Sequence, residues 1–197
     1  MSKKYFVKYH LLCQILVLCL VSFCTGCTGS SAFMRPAQNL MQPTEDMALV
    51  RFMRPSGFGF AINFNILDGE KVIGNSVAKS QFDYFAEPGK HLFISTAENK
   101  VFLEANLEAG KTYYVLLRVY SGVWRARVAF VPVNRGSEYW DQVGDYENTL
   151  KITAPDRVAL LRWQDANKLK IDKIILAYET KWKQIETWPK LNPDDGR

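Results

Sequence analysis

Acid–base chemistry needs a side chain that titrates near neutrality, and residues 27–197 hold one histidine, His91, in "PGKHLF". A nucleophilic triad would require a nucleophile beside it and a carboxylate to orient it. No such spacing is present, and His91 next to the Pro88-Gly89 turn reads as a structural histidine. Paired carboxylates occur as Asp83 with Glu87 and Glu104 with Glu108. Each pair falls where a polar outer strand face is expected, which predicts solvated surface. Phosphate-cradling loops, dinucleotide fingerprints and His-x-x-x-His pairs are missing. The chain is therefore expected to be non-catalytic, with no cofactor and no metal site.

Thiols offer a different chemistry. Cys13, Cys19, Cys24 and Cys27 are the four cysteines, all within the first 27 residues. Lys3, Lys4 and Lys8 precede the apolar run Leu11–Phe23, which is followed by small residues. This is the layout of a secretory signal. As a helix the run rises only about 20 Å, less than the roughly 30 Å hydrocarbon core. Cys24-Thr25-Gly26-Cys27 resembles the bacterial lipobox, in which the final cysteine is acylated and begins the mature chain. Cys24 departs from the leucine usual at the outermost position. The resemblance implies a signal peptide over 1–26, a lipid on Cys27 and attachment to a membrane. Thr28, where an aspartate would retain a Gram-negative lipoprotein at the inner membrane, implies the outer membrane, facing the periplasm.

The leader also distorts the charge. The whole chain carries +5, but residues 27–197 hold 22 basic and 20 acidic residues, a balance of +2. Nucleic-acid binding needs a concentrated basic face, so it is not expected. The envelope partners are the membrane, through the anchor, and other proteins.

The elements that would position any site come next. Residues 27–46 mix small, polar and proline residues without periodicity and read as a flexible tether. From Met47 to about Val133, strand-length runs rich in Val, Ile, Phe and Tyr alternate with turn residues such as Asp68-Gly69, Glu87-Pro88-Gly89 and Ala109-Gly110. This predicts an all-β antiparallel sandwich of about seven or eight strands. In Val101–Leu107, Val101, Leu103, Ala105 and Leu107 share one face. Pro132 belongs at a sheet edge or strand end. Residues 134–154 form a connector of no clear type. Residues 155–188 predict an amphipathic helix, either broken near Asn167 or contacted on different sides, before a tail at 189–197.

"ALVRFMRPS" (48–56), "DGEKVIG" (68–74), "FAEPGKHLF" (85–93) and "NLEAGKTYYV" (106–115) together resemble a family of bacterial lipoprotein domains, the domain of unknown function 2846. It is a β-sandwich of PEGA-like style. The resemblance spans about residues 47–133. It implies an envelope sandwich and supplies no catalytic residues.

Three groups remain as candidate binding surfaces. Gly57 and Gly59 flank Phe58, so Phe58 and Phe60 are either an exposed ligand loop or a bulge packed into the core. Arg118, Arg125 and Arg127 form a basic patch, with Arg118 expected opposite Arg125 across a turn at Ser121-Gly122. Such a patch suits lipid phosphates, an acidic partner or plain solvent. Ile171, Ile174, Tyr178, Trp182 and Ile185 share one helix face at spacings of 3, 4, 4 and 3. That stripe fits the chain's own sandwich, a partner's groove or a membrane surface. Together these readings give a lipid-anchored interaction or scaffolding module. The alternative is a binding protein for a small envelope ligand such as a glycan or lipid fragment.

Overall fold

The computed structural model describes residues 31–96, 99–121, 126–185 and 187–197. The signal peptide, Cys27 and Arg125 lie outside them. Among the described residues, eleven strands form two facing sheets. The first takes β1 (Met34–Pro36), β10 (Lys151–Pro155), β5 (Ser80–Ala86), β2 (Ala48–Arg54), β8 (Thr112–Ser121) and β9 (Ala126–Val133), in that order. The second takes β11 (Lys190–Leu191), β7 (Lys100–Leu107), β6 (Gly89–Thr96), β3 (Phe64–Asp68) and β4 (Lys71–Ser76).

The central core lies between the sheets. Val50, Phe52, Phe82, Val115 and Phe130 from the first meet Ile66, Phe93, Leu103 and Leu107 from the second. Phe52 stacks on Phe82 at 5.2 Å and meets Phe93 edge-on at 5.3 Å, a geometry that suits aromatic quadrupoles. The inward alternation expected in Val101–Leu107 is present: Leu103, Ala105 and Leu107 are buried in this core. Pro132 lies on β9, an edge strand, where its missing N–H leaves no inner ladder unpaired.

A purely antiparallel sandwich was the expectation, and the sheets are instead mixed. β2 pairs with β8, β5 with β10, and β7 with β11, all in parallel. Direction is decided by connections: β3 to β7 intervene between β2 and β8, and β10 and β11 each return after a helical segment. Nothing in a strand's own alternation carries that information. The count rises to eleven because short β1, β10 and β11 come from outside the strand-rich region.

Both outer faces are covered. β2 is buried at every position, since Arg51 and Met53 point away from the core yet lie under the connector. There α1 (Val143–Thr149) packs Val143, with Leu150 beyond it, on Met53, Tyr114 and Leu116. Buried Gln81 donates to the carbonyls of Glu147 (2.9 Å) and Leu150 (3.3 Å), satisfying the end of α1. On the other side α2 (Arg157–Ala177) covers Leu67, Val72, Ile94 and Phe102. Asp156 caps it, accepting from the Ala159 N–H at 3.2 Å.

Two boundaries are corrected. The expected tether is laid on the domain from Ser31 onward. β1 pairs with β10, and the Met41 N–H donates to Asp83 at 2.7 Å. The helix is unbroken at Asn167, whose side chain turns back to the Trp163 carbonyl at 2.8 Å. The irregularity falls later, as a π-helical turn over Tyr178–Trp182 leading into Lys183–Ile185.

Candidate functional site

Buried charge organises three places in the sandwich. The first is Arg51, which donates to both Asp83 oxygens (2.6 and 3.0 Å), to the Met41 carbonyl (2.9 Å) and to Glu147. It ties the N-terminal arm and α1 to β2 and β5. Although burial opposes its charge, the two carboxylates keep its pKa above the ordinary arginine value.

The second is His91. Its Nδ1 lies 2.7 Å from Asp68 Oδ2, its Nε2 lies 2.7 Å from the Glu87 carbonyl, and the Tyr84 hydroxyl donates to the same Asp68 oxygen at 2.9 Å. The Asp68 hydrogen bond raises the His91 pKa against the opposing effect of burial. Burial, with Asp68 adding to it, raises that of Tyr84. An imidazole engaged at both nitrogens clamps the β5–β6 turn and presents no free base. The acidic neighbour that catalysis would need is present, but Nε2 faces a backbone carbonyl where a nucleophile would have to be.

Beside it a groove of about 450 Å³ runs between β6, β7 and the C-terminal segment, lined in part by Lys90, His91, Glu104, Tyr178, Lys183 and Lys190. Tyr178 donates to Glu104, and Lys190 contacts the other Glu104 oxygen at 2.9 Å. The Tyr178 hydrogen bond, followed by Lys190, holds Glu104 below the usual carboxylate range. Burial first, then Glu104, pushes Tyr178 up. Among the described residues, no group of three His, Cys, Asp or Glu side chains is placed to hold a metal ion.

The third is Arg54, only 1% exposed. Its guanidinium donates to four carbonyls: Ile62 (2.7 Å), Ser76 (3.2 Å), Phe58 (2.9 Å) and Gly59 (2.8 Å). Its Nε has no hydrogen-bond partner, and burial lowers its pKa to about 10. The β2–β3 loop is wound around this cation, with Gly59 at φ +64°.

That winding decides the fate of the candidate loop. Phe58 and Phe60 are 53% and 52% exposed, and Ile62 is exposed beside them. They are not packed into the core, because Arg54 occupies the space beneath the loop. Sequence reading missed Arg51 and Arg54. Their signal is two arginines inside the apolar run "ALVRFMR", one on each face of a strand that is buried on both.

The basic patch does not assemble as expected. Arg118 pairs with Ala129 and Tyr120 with Arg127, because Ser121 already pairs with Ala126 and the turn closes later than predicted. Arg118 is held by the Tyr139 hydroxyl (2.8 Å) and lies over the rings of Tyr120 and Tyr139. Arg125 lies outside the described residues.

The C-terminal stripe divides. Ile171, Ile174 and Tyr178 are buried on the chain's own second sheet, and Phe102 gathers Tyr178, Trp182 and Trp188 within 5.4 Å. Ile185 is exposed. The opposite face is the open one: Val158, Leu161, Leu169 and Leu176 are all exposed, Leu169 by 76%. These residues share a helical face with Asp165 between them. No helix among the described residues is long and apolar enough to cross a membrane. Comparison with protein-family models, with curated proteins and with solved structures finds no match for this chain.

Proposed function

We propose that this chain is a lipid-anchored module of a bacterial cell envelope that works by protein contact rather than by catalysis. Cys27 is its attachment point at the outer membrane. Its sandwich is of the kind known as the domain of unknown function 2846, on the strength of the residues at 48–56, 68–74, 85–93 and 106–115. The observation that carries the reading is the outer row of α2. Four large apolar side chains stand in solvent on a helix whose other face is already seated. A row of this kind suits an apolar ridge on another envelope protein, with a basic group opposite Asp165.

A photo-crosslinking side chain placed in turn at Leu161, Leu169 and Leu176 tests this in native membranes. The same envelope protein should be captured from all three positions, and not from Asn106 on β7. Charge reversal by Leu169→Glu with Leu176→Glu should abolish its co-purification while the fold persists. A protein that remains solitary from all three positions would remove the scaffold reading.

The groove lined by Lys90, Glu104, Tyr178, Glu179 and Lys183 supports a second reading, a binding protein for a small envelope ligand such as a glycan or lipid fragment. Native mass spectrometry of protein purified from its own host would show the added mass, or its absence.

A further inference from the structure

The β2–β3, β4–β5 and β8–β9 connections all lie at one pole of the sandwich. Arg54 ends β2 there, Phe64 opposite Ser76 begins β3, and Ser121 opposite Ala126 ends β8. Three large apolar side chains, Phe58, Phe60 and Ile62, stand exposed on this pole, with exposed Tyr120 near by. Gly59 lies against Val119, the neighbour of Tyr120. The exposed cations at this end include Lys79, Lys151, Arg127 and Lys100, which pairs with Thr96 beside the start of β3. Lys151 meets Lys79 through a backbone hydrogen bond at 3.2 Å. No acidic residue occurs in 55–63 or 77–79.

The chain enters the domain beside the end of β4 and then runs along β1 toward this pole, with Pro36 opposite Thr153. Ser31 donates to Asn75 Oδ1 at 2.8 Å. Asn75 precedes Ser76, whose carbonyl accepts from Arg54, the same guanidinium that holds the Phe58 loop. Cys27 is four residues before Ser31, a reach of at most about 14 Å. An acyl group on Cys27 would therefore keep this pole within a loop's length of the bilayer. Aromatic and aliphatic side chains with flanking cations are the chemistry that settles at a headgroup–acyl boundary carrying anionic lipid.

We infer that the Phe58–Ile62 loop inserts into the interface of the membrane that holds Cys27, so that the domain is docked on the bilayer through a second contact. This rests on the lipid-anchor reading given above. The loop is shaped for the task because Arg54 satisfies its carbonyls from within, leaving the side chains free to face lipid.

The experiment uses the full chain, expressed with its leader and purified from membranes. An acylated Cys27 leaves no other thiol in the mature protein, so Phe58→Cys, or Lys90→Cys at the opposite pole, takes a single environment-sensitive fluorophore. The protein is reconstituted in vesicles of phosphatidylethanolamine with phosphatidylglycerol, and the mass of its N-terminal peptide is measured. The expected result is an acylated peptide, with label at 58 blue-shifted and losing most of its emission to spin-labelled lipid, and label at 90 unchanged. An acylated peptide with both labels in water would overturn the inference and leave the anchor standing. A peptide without acyl mass would overturn the anchor, and the inference with it.

Discussion

Arg54 and Phe58 are joined by a 2.9 Å hydrogen bond from a guanidinium that is almost wholly buried to a carbonyl whose own side chain stands in solvent. The pairing links the interior to the surface. The nine-residue loop 55–63, which carries exposed aromatic groups, is wrapped on this fixed cation.

Replacing that cation should therefore act locally and strongly. Arg54→Met strands four carbonyls and is expected to cost about 3 kcal/mol. Denaturant unfolding measures the loss, and limited proteolysis should find new cleavage within residues 55–63. Arg54→Lys, a single point donor, should recover only part of it.

The His91 clamp gives a pH signature. Its folded-state pKa is raised, chiefly by Asp68, above the unfolded value of about 6.5. Its contribution is then fully present below about pH 6.5 and is lost as pH rises through the folded-state value. Thermal unfolding from about pH 6 to pH 9 should show a decline that His91→Gln flattens. An equal slope in the variant would assign the effect elsewhere.

Gly74 tests the packing. A Cβ there would lie 2.5 Å from the Phe82 ring, so Gly74→Ala should destabilise by about 1–3 kcal/mol. In a Phe82→Leu background the same change should cost less. A double-mutant cycle from urea melts reads the coupling.

Helix docking is the fourth test. Ile174→Ala, on the seated face of α2, should cost about 2–5 kcal/mol. Leu169→Ala, on the open face, should stay within about 0.5 kcal/mol. Comparable losses at both positions would mean that the open row is covered within the chain itself.

How much of this was legible beforehand follows from what each feature depends on. Inward alternation in Val101–Leu107 and the edge position of Pro132 are local properties, and reading along the strand found them. The Ile171, Ile174 and Tyr178 face was equally visible as a helical period, but its three possible destinations were not separable. Which surface receives a stripe depends on Leu67, Ile94 and Phe102, residues far away in sequence. Strand direction was illegible for the same reason. Arg51 and Arg54 were visible as letters, but their meaning required knowing that β2 lies at the middle of a sheet covered on both sides. The position of Phe58 then depended on Arg54.

The pairing of first and last segments has a consequence for how the chain matures. Arg35 on β1 meets Asp156, 121 residues later. The backbone of Arg197 exchanges hydrogen bonds with Thr112 in both directions. Leu191 reaches the core between the sheets. An emerging chain can form the β3–β4 and β6–β7 hairpins early, but β1 waits for β10, and the edge of the second sheet waits for β11. Topologies so weighted toward distant partners fold over milliseconds to seconds rather than microseconds. Until the last residues arrive, open strand edges and the apolar underside of the second sheet stay uncovered. A chain cut before Lys190 loses the strand that covers the β7 edge and the Leu191 side chain in the core, and should behave as an aggregation-prone intermediate rather than a smaller stable domain.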